Sequence, residues 1–189
     1  MAHGEANRLP AIAVFGITGG ESGIWEIASI SEALHIVTER LGKLRLIVMG
    51  RHSDTAEKAL RNLMDKLPVE VSAFGVLPGE EIVRHMACCD VLLFVRGGIS
   101  SRRGSAIAGI ACGLPVVAFD GAETASPITE AGVVFADRKR QRGLGEALLK
   151  VLSDKEYRAA LAERSRRAQD KYFSWKAIAA RYAEALRLD

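Results

Sequence analysis

Three stretches of this chain combine residue types that could hold an anion or a sugar. The first is Gly16-Ile17-Thr18-Gly19-Gly20-Glu21-Ser22-Gly23, with four glycines in eight residues. Glycine lets backbone N–H groups come close to a ligand, and a helix N-terminus beyond such a loop attracts phosphate. No Gly-Lys-Ser/Thr follows, and the glycine spacing is not that of a dinucleotide fingerprint. Anion or sugar binding and a plain tight turn therefore fit the stretch equally well. The second is Gly97-Gly98-Ile99-Ser100-Ser101-Arg102-Arg103-Gly104-Ser105. Guanidinium groups grip phosphate oxygens bidentately, and serine hydroxyls with the free N–H groups of a first helical turn add donors. As a phosphate cradle this is the best candidate in the chain; the plainer alternative is an arginine pair covering a helix end. The third is Asp120-Gly121-Ala122-Glu123-Thr124-Ala125-Ser126-Pro127. Its acids could hold sugar hydroxyls or serve as turn formers and a first-turn helix acid.

These stretches need elements to position them. Six short runs rich in Val, Ile, Leu and Phe read as strands: 11–16, 44–50, 69–74, 90–95, 114–119 and 132–135. Continuous apolar runs fit strands buried on both faces of a parallel sheet. Helix patterns lie between them. In 26–41, Ile27, Ile30, Leu34, Val37 and Leu41 fall on one face. Ser53 or Asp54 is placed to cap a helix running to Leu67. Glu80 and Glu81 follow Pro78 and Gly79, where a helix dipole favours acids. From Gly143 onward three helical patterns follow one another, 143–152, 154–171 and 174–188, with Asp154 and Ser174 as N-caps. The expectation is a doubly wound, Rossmann-like α/β layer. It would have about six parallel strands, helices on both faces and a helical C-terminal extension. Residues 1–10 read as a flexible lead and 11–189 as one domain. In such a sheet, ligands bind beyond the carboxyl ends of the strands, where all three stretches fall.

The chain has 189 residues, 49% apolar and 26% charged, which is ordinary globular composition. No apolar run approaches the ~20 residues of a membrane span. The first residues lack a secretory pattern, and three cysteines without paired spacing suit a reducing compartment, so a cytoplasmic location is expected. The net charge of +3 is too small to mark a nucleic-acid partner. Its distribution is uneven: residues 1–135 carry 12 basic and 15 acidic side chains, net −3, and 136–189 carry 14 and 8, net +6. A solvated helical surface accounts for that; peripheral contact with anionic headgroups is the sharper alternative. His35 reads as structural, and His52 and His85 stand alone without a second ligand at metal spacing, so no metal site is expected. Cys88 and Cys89 read as core. Trp25 and Trp175 read as packing anchors, with Trp25 also placed to border a cleft.

The order of several segments resembles the donor-binding half of group 1, GT-B-fold glycosyltransferases. AGIACGLPVVAFD (108–120) and the acidic loop after it resemble the hallmark of that family. EEIVRHMACCDVLLF resembles its helix and strand before the donor loop. ITEAGVVFAD resembles the segment closing the donor pocket. SDKEYRAALAERSRRAQDKYFSWKAIAARY resembles the C-terminal helices. The likeness covers nearly all of 11–188. The family usually carries two glutamates eight apart where this chain has Ser100 and Ala108. It also carries an arginine and a lysine after the first strand, where ITGGESG has neither. GGISSRRGSAIAGIACGLPVV resembles a divergent branch with an Arg-Arg-x-Ser pattern.

The resemblance implies binding of a nucleoside-diphosphate sugar for glycosyl transfer to an unknown acceptor, with the acceptor domain absent from this chain. It implies no cofactor beyond the donor and no metal. Arg102 and Arg103 would carry the positive charge that stabilises the leaving diphosphate. Ser100, Ser101, Gly104 and Ser105 would shape the cradle, and Gly16, Gly19 and Gly20 would bring the first loop to the phosphates. Val76 would face the base, and Asp120, Gly121 and Glu123 the transferred sugar. Inactivity of this chain alone is expected, because the cleft lacks a wall. Two alternatives remain: a non-catalytic nucleotide- or sugar-binding module, and an epimerase-like nucleotide-sugar enzyme. The lack of a histidine in the three loops argues against the latter.

Overall fold

The computed structural model describes residues 8–138, 140 and 142–186. Residues 1–7 of the expected lead and residues 187–189 lie outside the described residues. Arg8 and Pro10 are tied to the body: the Arg8 guanidinium donates to the Cys88 carbonyl at 2.7 Å, and the Pro10 carbonyl accepts from Arg45 N–H at 2.8 Å.

Strands and helices alternate. They run β1 (Ala11–Phe15), α1 (Gly20–Leu41), β2 (Leu44–Met49), α2 (Ser53–Leu63), β3 (Val69–Ala73), α3 (Gly79–Ala87), β4 (Val91–Gly98), α4 (Gly104–Ala111), β5 (Val116–Phe119) and β6 (Val133–Ala136). Then come α5 (Gly143–Ser153), α6 (Lys155–Ala168) and α7 (Trp175–Leu186). A 3-10 turn at Ile128–Glu130 leads into β6, and a π-turn at Gln169–Phe173 joins α6 to α7. The six strands pair in parallel in the order β3-β2-β1-β4-β5-β6. This is the doubly wound order in which the chain turns back between β1 and β4.

Alternation along each strand makes two cores. Ile12, Val14, Leu46, Val48, Leu93 and Val117 pack with α1, α2 and α5 on one face. Ala13, Ile47, Leu92, Phe94 and Val116 pack with Met86 of α3 and Ala106 and Ile110 of α4 on the other. Small residues on α4 let it lie close: a Cβ on Gly109 would collide with the Leu92 side chain. Asp154 caps α6 by accepting from Tyr157 N–H at 2.9 Å, and Ser174 caps α7 by accepting from Ala177 N–H at 3.2 Å.

Four local expectations are corrected. The glycine stretch is a loop only as far as Gly19; Gly20–Gly23 form the first turn of α1. The loop folds back so closely that a Cβ on Gly23 would strike the Thr18 carbonyl, so glycine here admits the helix rather than breaking it. Ser53 does not cap α2. It is buried and donates to the Gly50 and Phe74 carbonyls, while His52, at φ 62°, occupies the cap position. Cys88 is exposed where α3 ends; only Cys89 is buried. Trp175 is no anchor: it is 86% exposed, and α7 buries none of its residues.

Candidate functional site

The point where strand order reverses lies between the carboxyl ends of β1 and β4. Two loops leave the sheet there. After β1, Gly16 N–H donates to the Met49 carbonyl at 2.7 Å and Ile17 N–H to the Arg51 carbonyl at 3.1 Å, which fixes the loop against β2. Gly16 needs its glycine, because φ is +82°. Thr18 N–H donates to the buried carboxylate of Glu26 at 2.7 Å, tying the loop to α1. Gly19 and Gly20 are exposed at the head of α1, and His52 stands beside Gly19, its ring 3.5 Å from where a Cβ would be.

Toward the end of β4 its ladder with β5 slips between Phe94 and Gly98, and this irregularity re-aims the strand end. Ile99 and Ser100 are buried, and the Ser100 hydroxyl accepts from Arg102 N–H at 3.4 Å while its carbonyl accepts from Arg103 N–H at 3.0 Å. Ser100 therefore shapes the turn from inside. Ser101, Arg102, Arg103 and Gly104 are exposed and Ser105 is half-buried where α4 begins. Arg102 is taken up by an ion pair with Glu123 of the third loop. Arg103 reaches over Gly97, its terminal nitrogen 4.0 Å from where a Gly97 Cβ would sit.

The third loop leans on the second. A Cβ on Gly98 would lie 2.8 Å from the Gly121 Cα, so the two backbones touch there. Thr124 fastens the contact: its hydroxyl donates to the Ile99 carbonyl at 2.6 Å and accepts from Gly121 N–H at 2.9 Å. Asp120 and Gly121 are exposed beside it. Val76, 79% exposed, follows β3, two strands from β1 and hence roughly 10 Å away at the usual spacing. The residues named for the phosphate and sugar thus gather around one crevice, while Val76 stands at its far side. Trp25 borders this region: its ring lies 5.7 Å from Phe119, with the Arg138 guanidinium 5.2 Å above it.

Arg96 escaped the reading of the sequence. It sits near the end of β4, and its Nε donates to the Thr18 hydroxyl at 3.3 Å, across the crevice. A lone arginine directly after an apolar strand run was the signal available, and its closeness to Gly-Gly was the hint that the strand ends there. Among the described residues, no group of three or more His, Cys, Asp or Glu could hold a metal ion. No helix of the described residues is long and apolar enough to cross a membrane.

A six-stranded sheet in this order, with helices on both faces, defines a doubly wound, Rossmann-like α/β domain. Residues 22–154 match the family model described as glycosyl transferases group 1, and the chain belongs to that family. Over 165 residues it is 25% identical to a GDP-mannose-dependent monoacylated alpha-(1-6)-phosphatidylinositol monomannoside mannosyltransferase from Corynebacterium glutamicum. The match covers 84% of this chain and 43% of that protein, so the chain spans less than half of this curated relative. The fold is also that of the C-terminal domain of the group 1 glycosyl transferase LpcC from Francisella tularensis. The TM-score there is 0.67 at 18% identity, covering 88% of this chain and 89% of that one. Anabaena HepE, crystallised with UDP and glucose, superposes with a TM-score of 0.64 at 16% identity over 95% of this chain and 48% of that one.

Proposed function

We propose that this chain is the donor-binding half of a glycosyltransferase and takes a nucleoside-diphosphate sugar for transfer to an acceptor held by a second domain. One observation carries the reading: two loops with exposed glycines, and an Arg103 without an ion pair among the described residues, converge at the strand-order reversal of a group 1 fold. The diphosphate would lie over that reversal, where the first turns of α1 and α4 offer N–H groups. Positive charge there stabilises the leaving group as the glycosidic bond breaks. Gly16, Gly19 and Gly20 line one side, and Ser101, Arg103, Gly104 and Ser105 the other. Arg102 and Glu123 hold the third loop in place, with Asp120 and Gly121 toward the sugar and Val76 toward the base. That the Corynebacterium relative uses GDP-mannose and HepE was crystallised with UDP makes both nucleotides first choices. Acceptor, stereochemistry and any contact with a lipid surface belong to the whole enzyme.

The test is calorimetric titration of the chain with UDP, GDP, ADP and TDP. Micromolar to millimolar binding of one of them supports the reading and names the base. No binding by a folded sample sinks it for this chain. A second reading, a binding module without transfer chemistry, is favoured by Ser100: it is 3% exposed and spends its oxygen on the turn. Restoring glutamate at Ser100 and Ala108 and finding new donor affinity would support that reading.

A further inference from the structure

We infer that Arg96, aimed by Thr18, is the principal anion-gripping residue of this crevice and works as a pair with Arg103. This rests on the donor-binding reading above and identifies the residues of that site. Several arginines of this structure are held in ion pairs. Arg8 pairs with Asp90, Arg61 with Glu57, Arg102 with Glu123, Arg140 with Glu146 and Arg166 with Glu163. Arg45, half-buried too, has the Glu70 charge acting on it; the half-buried arginine of the crevice is Arg96. Among the described residues no carboxylate pairs with it, and its one hydrogen bond is from Nε to the Thr18 hydroxyl at 3.3 Å. Glu26, the buried acid that also meets Thr18, turns to the Thr18 N–H instead. A half-buried charge without a counter-charge is costly, and the remaining four N–H donors of this guanidinium match the oxygens of a phosphate.

The direction is fixed as well. The side chain crosses from β4 to β1, and a terminal nitrogen lies 3.3 Å from where a Cβ on Gly16 would be. Gly16 and Gly97, at φ +82° and +76°, leave their flanks bare, one under Arg96 and one under Arg103. The β1 loop brings no cation of its own, since it reads Gly-Ile-Thr-Gly. Charge is delivered to it from the neighbouring strand. Thr18 is a positioning residue: its hydroxyl accepts from Nε and so ties the guanidinium to the loop that α1 follows, without using its terminal nitrogens.

The probes are inorganic pyrophosphate and the nucleoside diphosphate bound best by the unaltered chain. An exchange of charged hydrogen bonds of this kind is worth roughly 10- to 100-fold in affinity. Arg96→Ala and Arg103→Ala should each lose that much for both probes. Arg96→Lys should recover only part of it, because an ammonium is a point donor rather than a fork, and Thr18→Val should lose a few-fold. Addition of pyrophosphate to the unaltered chain should also shift the Arg96 Nε–H resonance, a readout independent of whether any variant folds. If the chain binds a nucleotide and neither Arg96→Ala affinity nor the Arg96 resonance changes, the inference is overturned and the donor-binding reading stands. If the folded chain binds neither pyrophosphate nor any nucleotide, both fall.

Discussion

The two ends of the sheet use arginine in opposite ways. At the amino end, a cleft of about 430 Å³ is lined by Arg8, Asp90, Lys155 and Arg158. Asp90 accepts from Arg8 at 2.5 Å and from Ala11 N–H at 2.8 Å, and Arg158 donates to the Leu152 carbonyl at 2.8 Å. The thiol in that cleft, Cys89, is pushed up to about 12 by burial and by the Asp90 charge, so it stays protonated and inert. At the carboxyl end, Arg96 and Arg103 face glycine backbone without an acid. A cleft of that size draws attention to the amino end. Unspent charge directs it to the carboxyl end. A cleft whose cations are already paired closes a structure; one whose cations are unpaired awaits a ligand.

Mutations should separate the two ends, with stability failing at one and binding at the other. The largest effect is expected from Gly132→Ala, where the new methyl would strike the Leu161 carbonyl of α6 beside β6. Overpacking against backbone should cost about 3 kcal/mol, read as a lower denaturant midpoint. A midpoint within error of the parent would show that α6 moves freely beneath the sheet. Asp90→Ala should cost about 2 kcal/mol, less than a fully buried pair because Arg8 is half exposed. Its affinity for nucleotide should stay that of the parent; a loss of binding would erase the contrast between the ends. The double variant Arg96→Ala, Arg103→Ala should behave inversely. It should melt as the parent does or slightly higher, within about 0.5 kcal/mol, since no ion pair is lost, while nucleotide binding falls away.

The smallest effect concerns Glu130, just before β6. Ser126 and Tyr172 hydroxyls donate to it, followed by Lys171, and they hold its carboxyl at about 2, below the ordinary 4.5. Because the folded value is depressed, the stabilisation is fully present above about 4.5 and is lost as pH falls through that value toward about 2. The melting temperature of the parent should therefore drop across this window more steeply than that of Glu130→Gln. Parallel curves would remove Glu130 from the account of how α6 and the π-turn are held.

Much of the fold was legible because its signals are local. Runs such as Leu46–Met49 and Val91–Val95 are apolar throughout because both sheet faces are covered, and Asp154 and Ser174 cap as their residue types suggest. The strand order was not legible, since it depends on pairings between distant segments. The crevice was legible in outline, because glycines mark where backbone must bend or touch, as at Gly16 and Gly98. Which arginine serves it was not. Arg102 and Arg103 are adjacent and equivalent in sequence, and only the ion pair with Glu123 tells them apart. Arg96 stood in the shadow of a strand whose bulge no periodicity announces. Trp175, at the head of α7, misled for another reason: a large apolar side chain predicts burial but not what supplies it.

That last helix has a consequence for the molecule's lability. With Trp175, Tyr182 and Leu186 all outward and none of its described residues buried, α7 is held chiefly by its Ser174 cap and by contacts to the π-turn, such as Arg181 over Tyr172 at 4.8 Å. Short helices without tertiary packing are marginal in water. Its amides should exchange with solvent far sooner than those of the sheet, and a protease should nick the chain there first. Once trimmed after Phe173, the remaining domain would keep every strand and both cores.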